Sequence, residues 1–142
     1  PDHDSVSCLD GATLERSFEA SVGEHPRTLA LDDDGALWVT NRGEGTVSRI
    51  DPATDEVTTF HVGTSPAGIA IDGDRVWVVD NADEGTLVLL DRRSGKLMDR
   101  FPVGTRPLGL IVLNDSVWVT VSGDDEIVEV LVETDYPGLG GV

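Results

Sequence analysis

The chain has very little lysine and very little cysteine. Its 142 residues include one lysine, Lys96, and one cysteine, Cys8. A single cysteine excludes an intrachain disulfide and a cluster of thiolate metal ligands. No apolar run approaches the length of about 20 residues that a transmembrane helix requires. We therefore expect neither a disulfide framework nor insertion into a membrane.

Basic residues are also scarce. The chain has 27 Asp and Glu against 10 Lys and Arg, which gives a formal net charge of −17. Nucleic acids and anionic membranes bind to positive surfaces, so we expect neither as a partner. An acidic surface with so little lysine is typical of a halophilic protein, because high salt screens self-repulsion. An acidic, arginine-rich genome is the alternative explanation.

Helical periodicity is absent, and a strand repeat takes its place. Apolar residues alternate or form short blocks bounded by Gly, Pro, Asn and Asp, which favours strands. Trp38, Trp77 and Trp118 lie 39 and 41 residues apart, in the phrases Leu-Trp-Val-Thr, Val-Trp-Val-Val and Val-Trp-Val-Thr. A repeat of roughly 40 residues built from short strands is typical of the blades of a β-propeller.

Each repeat begins with Val-Gly and has a proline four residues after the valine, at Pro26, Pro66 and Pro107. An apolar strand, a polar turn, the tryptophan strand, a second turn and a third strand follow, and two repeats add a fourth strand. Four antiparallel strands joined by short hairpins form one blade. The sequence therefore predicts an all-β propeller segment of about three blades, divided into partial-blade strands at 5–20, blades at 22–61 and 62–102, a partial blade at 103–132 and a tail at 133–142.

Three blades are too few for a closed propeller, which has roughly 4–8. Either the chain is part of a longer propeller or copies of it assemble into a ring. We favour a homodimer with twofold symmetry that forms a six-bladed ring. The N-terminal strands of each copy would complete the C-terminal blade of the other, which would remove exposed sheet edges.

The tryptophans and one acidic turn have structural interpretations. One tryptophan per blade at the same strand position predicts side chains packed between neighbouring sheets. Asp32, Asp33 and Asp34 precede Gly35 between two apolar runs, which predicts a hairpin turn. Incidental binding of a cation is the alternative for this turn, since the ligand spacing of an EF-hand is missing.

One rim of the propeller channel is the candidate ligand-binding site. Loops that enter the first strand and loops that join the second strand to the third lie on the same side of a propeller. Arginines there would attract a carboxylate or phosphate by bidentate contacts, and pairing with nearby acids is the alternative. The candidate residues, for a small molecule or a protein at the channel mouth, are His25, Arg27, Asn41, Arg42, Ser65, Asn81, Arg106 and Ser122.

The repeats resemble the YVTN-type β-propeller repeats and the virginiamycin B lyase-like propellers. The phrases that carry the resemblance include Val-Gly-x-x-Pro-x-Gly-Ile-Ala and Gly-Thr-Val-Ser-Arg-Ile-Asp-Pro-Ala-Thr, and they extend over residues 5 to 132. The resemblance implies bacterial or archaeal proteins, often secreted or attached to the cell surface, many of which are binding or scaffold modules.

The same resemblance includes enzymes. The lyase opens a cyclic peptide antibiotic at a histidine-containing, magnesium-dependent site, and gluconolactonase-like hydrolases bind a metal through residues of separate blades. No motif here matches either set of residues, so we assign no catalytic residue, metal ligand or cofactor. We predict a non-enzymatic binding or interaction module. The alternative is a metal-dependent lyase or a gluconolactonase-like hydrolase, which would need a divalent cation.

Overall fold

The computed structural model describes residues 4–132, and the predicted tail at 133–142 lies outside the described residues. No helix occurs within residues 4–132, and hence none that could cross a membrane. Successive strands are joined by short turns in which glycine adopts positive φ, as at Gly35 and Gly73. The strands are β1 Ser5–Leu9, β2 Arg16–Ser21, β3 Pro26–Leu31, β4 Leu37–Asn41, β5 Thr46–Asp51, β6 Glu56–His61, β7 Pro66–Asp72, β8 Arg75–Asp80, β9 Gly85–Asp91, β10 Leu97–Gly104, β11 Pro107–Leu113, β12 Ser116–Val121 and β13 Glu126–Leu131.

The strands form four antiparallel sheets in chain order. Two sheets have four strands, β3-β4-β5-β6 and β7-β8-β9-β10. The C-terminal sheet has three strands, β11-β12-β13, and the N-terminal sheet pairs β1 with β2. Every pairing joins strands that are consecutive in the chain, as in a propeller blade. The predicted all-β architecture of propeller blades is confirmed.

The first strands of the three larger sheets lie side by side. Strand β7 contacts both β3 and β11, whereas the outer strands of these sheets are farther apart. The sheets therefore fan out from a common inner edge. This arrangement brings the loops before β3, β7 and β11 to one end of the fold, where the candidate site lies.

The core lies between the sheets, around two of the tryptophans. Trp38 and Trp77 are 0% and 1% exposed. Trp38 stacks on Phe60, with ring centroids 5.9 Å apart, and shares a cluster with Ile69 of the next sheet. Trp77 contacts Phe101 with ring centroids 6.2 Å apart and the ring planes tilted by 38°. Both indoles are packed between their own outer strand and the following sheet, as predicted.

Trp118 differs from the other two tryptophans. It is half-buried, and its register partners on β11 and β13 are Ile111 and Glu129. No fourth strand and no following sheet cover it within residues 4–132. The predicted packing of a tryptophan between sheets therefore applies to Trp38 and Trp77 and not to Trp118.

Candidate ligand-binding site

His25 occupies a fixed position in the loop before β3. Its φ is +52°, in the left-handed region. The His25 backbone N–H donates a 3.1 Å hydrogen bond to the Asp4 carboxylate, and the His25 carbonyl accepts a 3.0 Å bond from the backbone N–H of Arg42. The loop before β3 is thus tied to the loop after β4. The imidazole lies directly over Gly43, where any β-carbon would collide with Nδ1 of His25.

A cavity of about 430 Å³ opens between these loops and the loop before β7. Across it, Nε of Arg42 donates a 3.1 Å hydrogen bond to Oγ of Ser65. This bond fixes the guanidinium while its remaining N–H groups stay available to a ligand. The cavity is lined by His25, Pro26, Arg27, Arg42, Gly43, Thr64 and Ser65.

The electrostatics of the cavity contrast with those of the whole chain. The chain carries a net charge of −17, yet the cavity lining contains two arginines and a histidine and no acidic residue. Within residues 4–132 no ion pair involves Arg27 or Arg42, whereas Arg16, Arg49, Arg92, Arg93 and Arg106 all pair with carboxylates. Arg27 and Arg42 are exposed. Among the described residues neither guanidinium therefore forms an ion pair, while the nearby carboxylates of Asp4 and Asp80 bond backbone N–H groups of the loops that line the cavity.

The structure brings four of the eight predicted rim residues together around one cavity, and Asn81 adjoins them, since its backbone N–H donates a 2.9 Å hydrogen bond to the Ser65 carbonyl. His25, Arg27, Arg42 and Ser65 line the cavity. Three more lie at the junction of the next two sheets. Ser122 Oγ donates to the Arg106 carbonyl at 2.8 Å, and Asn81 Nδ2 donates to the Pro107 carbonyl at 2.9 Å. Arg106 itself lies 3.9 Å from Asp83.

Asn41 does not lie on the rim. Its side chain is fully buried and donates to Oγ of Ser48 at 2.8 Å and to Oγ1 of Thr46 at 3.1 Å. Successive residues of a strand point to opposite faces, so Asn41 shares the face of Val39 rather than that of Trp38. Strand β4 is buried on both faces from Trp38 to Asn41, and counting alternate positions from Trp38 alone would not have placed Asn41 inside the fold.

Sequence reasoning missed Asp80, which shapes one wall of the cavity. Its carboxylate accepts hydrogen bonds from the backbone N–H groups of Ser65 at 2.6 Å and Thr64 at 3.1 Å. Asp80 is 4% exposed and ends the tryptophan strand. A carboxylate at that position can bind the N–H groups of a neighbouring loop. The aspartate directly before Asn81 was the available signal.

At the opposite ends of the strands, the acidic turn binds a guanidinium of the next sheet. Arg92 Nη1 lies 2.6 Å from Asp34, and Nη2 lies 3.1 Å from Asp74. Asp32, whose side chain is fully buried, is 3.7 Å from Arg92 and accepts 2.9 Å hydrogen bonds from the Trp38 indole and the Asp34 backbone N–H. The predicted hairpin turn is present, and its cation is an arginine of the chain.

These contacts change the titration of two groups. Burial acts to raise the pKa of Asp32, but hydrogen bonds from Trp38, Ala36 and Asp34 and the charge of Arg92 outweigh it, so the pKa lies below its ordinary value. The hydrogen bond from Arg92 to Asp34 raises the pKa of the guanidinium, against the effect of burial. Within residues 4–132 no group of three His, Cys, Asp or Glu side chains is placed to hold a metal ion.

Comparison with known proteins places the fold. No protein-family model matches the chain, and no curated protein matches it. A solved structure of a functionally unknown protein from Desulfotomaculum acetoxidans is similar, with a TM-score of 0.81 at 16% identity over 94% of this chain and 45% of that one. A streptogramin B lyase structure gives a TM-score of 0.71 at 23% identity over 94% of this chain and 49% of that one.

A third solved structure is that of a catalytically inactive virginiamycin B lyase from Staphylococcus aureus with quinupristin. It gives a TM-score of 0.71 at 17% identity over 96% of this chain and 51% of that one. The chain thus spans about half the length of these three proteins. At these identities the likeness concerns the fold. The chain has a β-propeller fold similar to that of these solved structures.

Proposed function

We propose that the chain is a non-enzymatic binding module that holds a carboxylate-bearing or phosphate-bearing ligand in the cavity lined by His25, Arg27, Arg42 and Ser65. The observation that carries the proposal is the presence of two arginines without acidic partners beside a cavity in a strongly acidic chain. Planar guanidinium groups bind carboxylates and phosphates in bidentate fashion.

The volume of the cavity and its fixed side chains are suited to a small anion. Its volume of about 430 Å³ lies within the range of small-molecule sites, roughly 300–1,000 Å³. The Arg42–Ser65 hydrogen bond and the packing of His25 on Gly43 fix two of the side chains before a ligand arrives. Such preorganisation reduces the entropy lost on binding. The ligand is a carboxylate or phosphate group of a small molecule or of a protein partner.

A titration followed by NMR tests the proposal. Citrate and inorganic phosphate are added to the protein in separate experiments, and the backbone amide signals of Ser65, Arg42 and His25 are followed. We expect saturable shifts confined to the cavity. Arg27→Ala and Arg42→Ala should each weaken binding by about tenfold or more, because a charge-assisted hydrogen bond contributes about 1.5–3 kcal/mol.

Arg93→Ala is the matched control, since Arg93 is an exposed arginine in the turn between β9 and β10, outside the cavity lining. It should bind both anions as the unchanged protein does. Equal affinity of the Arg42→Ala and unchanged proteins for both anions would overturn the proposal.

The lyase alternative is tested separately. Two of the structures with a similar fold are lyases, so quinupristin with MgCl₂ is the probe. We expect no ring opening by mass spectrometry and no saturable heat of Mg²⁺ binding that depends on His25. Ring opening that is lost in His25→Ala would show that the protein is a lyase and not a non-enzymatic binding module.

A further inference from the structure

The face of the C-terminal sheet that carries Trp118 is mostly apolar, and Glu129 on the same face accepts a 2.6 Å hydrogen bond from Ser116 Oγ. It includes Ile111 and Ile127, which are 62% and 69% exposed, together with Leu113 and Leu131. A hollow of about 510 Å³ lies between Trp118, Ile111 and Ile127. We call this surface, comprising Ile111, Leu113, Trp118, Ile127 and Leu131, the Trp118 face. Exposed apolar surface of this kind marks an interaction site.

The two internal sheet junctions show what covers such a face. Trp38 is covered by the next sheet's first strand, where Ile69 belongs to its cluster and Ile71 packs against it. Trp77 is covered in the same way by Leu110 and Val112 of β11. Each tryptophan therefore packs against two apolar residues, two positions apart, on the first strand of a following sheet.

The other end of the chain exposes the matching pair. Leu29 and Leu31 on β3 stand at the repeat positions of Ile69 and Ile71, and they are 53% and 66% exposed. Within residues 4–132 they are uncovered, and the N-terminal sheet there pairs β1 with β2. Its pairing of Val6 with Ala20 has the register of Val47 with Phe60, so β1 and β2 are a third and a fourth strand. No described strand of residues 4–132 occupies the places of a first and a second strand beside β3.

We propose that the Trp118 face of one copy packs on Leu29 and Leu31 of a second copy, head to tail, and that two copies close a ring through two such junctions. The junction repeats the relationship of Trp38 to Ile69 and Ile71. Strands β11 and β12 of one copy fill the open space beside β3 of the other. Ile111 replaces the alanine found at this position in the other sheets, Ala30 and Ala70, and enlarges the apolar surface.

The strand count gives the junction a second property. Strands β11, β12 and β13 of one copy meet β1 and β2 of the other, which is one strand more than a blade holds. A blade has one third strand. In the shared blade, β1 of one copy and β13 of the other would both take that position, so only one of them can occupy it. Assembly therefore displaces β1 or β13 while it protects β11 and β12.

The first test is the molar mass in solution. Light scattering and sedimentation equilibrium are performed over a wide concentration range at low salt and in about 2 M KCl, since salt screens the repulsion between two acidic copies. We expect a dimer whose dissociation constant falls as salt rises. A monomer at every concentration and salt level, or an open-ended series of larger oligomers, would overturn the proposal.

Substitutions then distinguish head-to-tail packing from a symmetric contact of two Trp118 faces. Ile111→Asp and Leu31→Asp should each weaken dimerisation by about hundredfold, because an aspartate would be buried in each junction. An equimolar mixture of the two variants should associate more tightly than either alone, since one of its junctions is unmodified. A dimer that Leu31→Asp leaves intact would overturn the head-to-tail arrangement.

Leu97→Asp is the control, because Leu97 is exposed on β10, away from both ends. It should dimerise normally, and circular dichroism should show that all three variants fold. Hydrogen exchange provides the last readout. In the dimer, amides of β11 and β12 should gain protection from hydrogen exchange. Amides of the displaced strand, either β1 or β13, should lose it. Retained protection of both β1 and β13 would contradict the proposed junction.

Discussion

The indole N–H of Trp38 donates a 2.9 Å hydrogen bond to the buried carboxylate of Asp32. The indole N–H of Trp77 is equally buried, but no acceptor is present for it within residues 4–132. Two tryptophans at the same repeat position therefore differ in hydrogen bonding, since one buried indole N–H has an acceptor and the other has none among the described residues. A buried polar group without a partner costs free energy, whereas a paired one does not.

The first prediction compares Trp38→Phe with Trp77→Phe. Both substitutions replace a buried indole with a smaller phenyl ring, so they remove a similar volume from the core. Trp38→Phe also removes a donor from the Asp32 carboxylate, while Trp77→Phe removes an unpaired N–H. We expect Trp38→Phe to lower the free energy of unfolding by about 1–3 kcal/mol more than Trp77→Phe. Urea denaturation measures the difference, and equal losses would contradict the role of the hydrogen bond.

The second prediction concerns pH. The folded-state pKa of Asp32 is depressed, so its contribution to stability is complete above the unfolded pKa of about 3.9 and is lost as pH falls through the folded value. The gap in unfolding free energy between the unchanged protein and Asp32→Asn should be constant from neutral pH to about pH 5 and narrow below about pH 4.

Measuring that gap, rather than the unchanged protein alone, removes the contribution of the other carboxylates. Asp33→Asn is the control, since Asp33 is an exposed residue of the same turn. At neutral pH the gap for Asp33→Asn should be much smaller than the gap for Asp32→Asn, since Asp33 is exposed and Asp32 is buried. If the gap for Asp32→Asn widened as the pH fell, the depressed pKa of Asp32 in the folded protein would be contradicted.

The third prediction concerns the contact between two sheets through Arg92. Its side chain is 11% exposed and bonds to Asp34 of one sheet and to Asp74 and the Gly73 carbonyl of its own. Arg92→Lys cannot reproduce this planar set of bonds. We expect a loss of about 1–3 kcal/mol in unfolding free energy. Arg93→Lys, at a mostly exposed neighbour, should change stability by less than about 0.5 kcal/mol.

The fourth prediction concerns two glycines with positive φ. Gly95 has φ +73°, and a β-carbon there would collide with the ring of Phe60 in the preceding sheet. Gly73 has φ +60°, but a β-carbon would meet nothing within 4 Å. Gly73→Ala should cost about 1–2 kcal/mol from backbone strain alone. Gly95→Ala should cost clearly more in thermal unfolding, and similar losses would show that the Phe60 contact adds nothing.

Much of the fold could be predicted from the sequence because its information is local. Alternation of apolar residues, turns rich in Gly, Asn and Asp, and the spacing of Trp38, Trp77 and Trp118 specify strands, hairpins and their repetition. These signals depend on residues within a few positions of each other. The cavity was harder to predict, since His25, Arg42 and Ser65 converge from three loops. Asn41 is buried because other sheets cover both faces of β4, which no local pattern shows.

The sequence by itself determined that three of the antiparallel sheets carry one tryptophan each, and that the chain is strongly acidic. Only the tertiary structure decided which arginines are paired. Arg92 meets Asp34 from a turn 58 residues away, while Arg27 and Arg42 meet no carboxylate within residues 4–132. The reason is physical: strand alternation is set by neighbouring residues, whereas a charge finds its partner only when separate sheets pack at a fixed distance and angle.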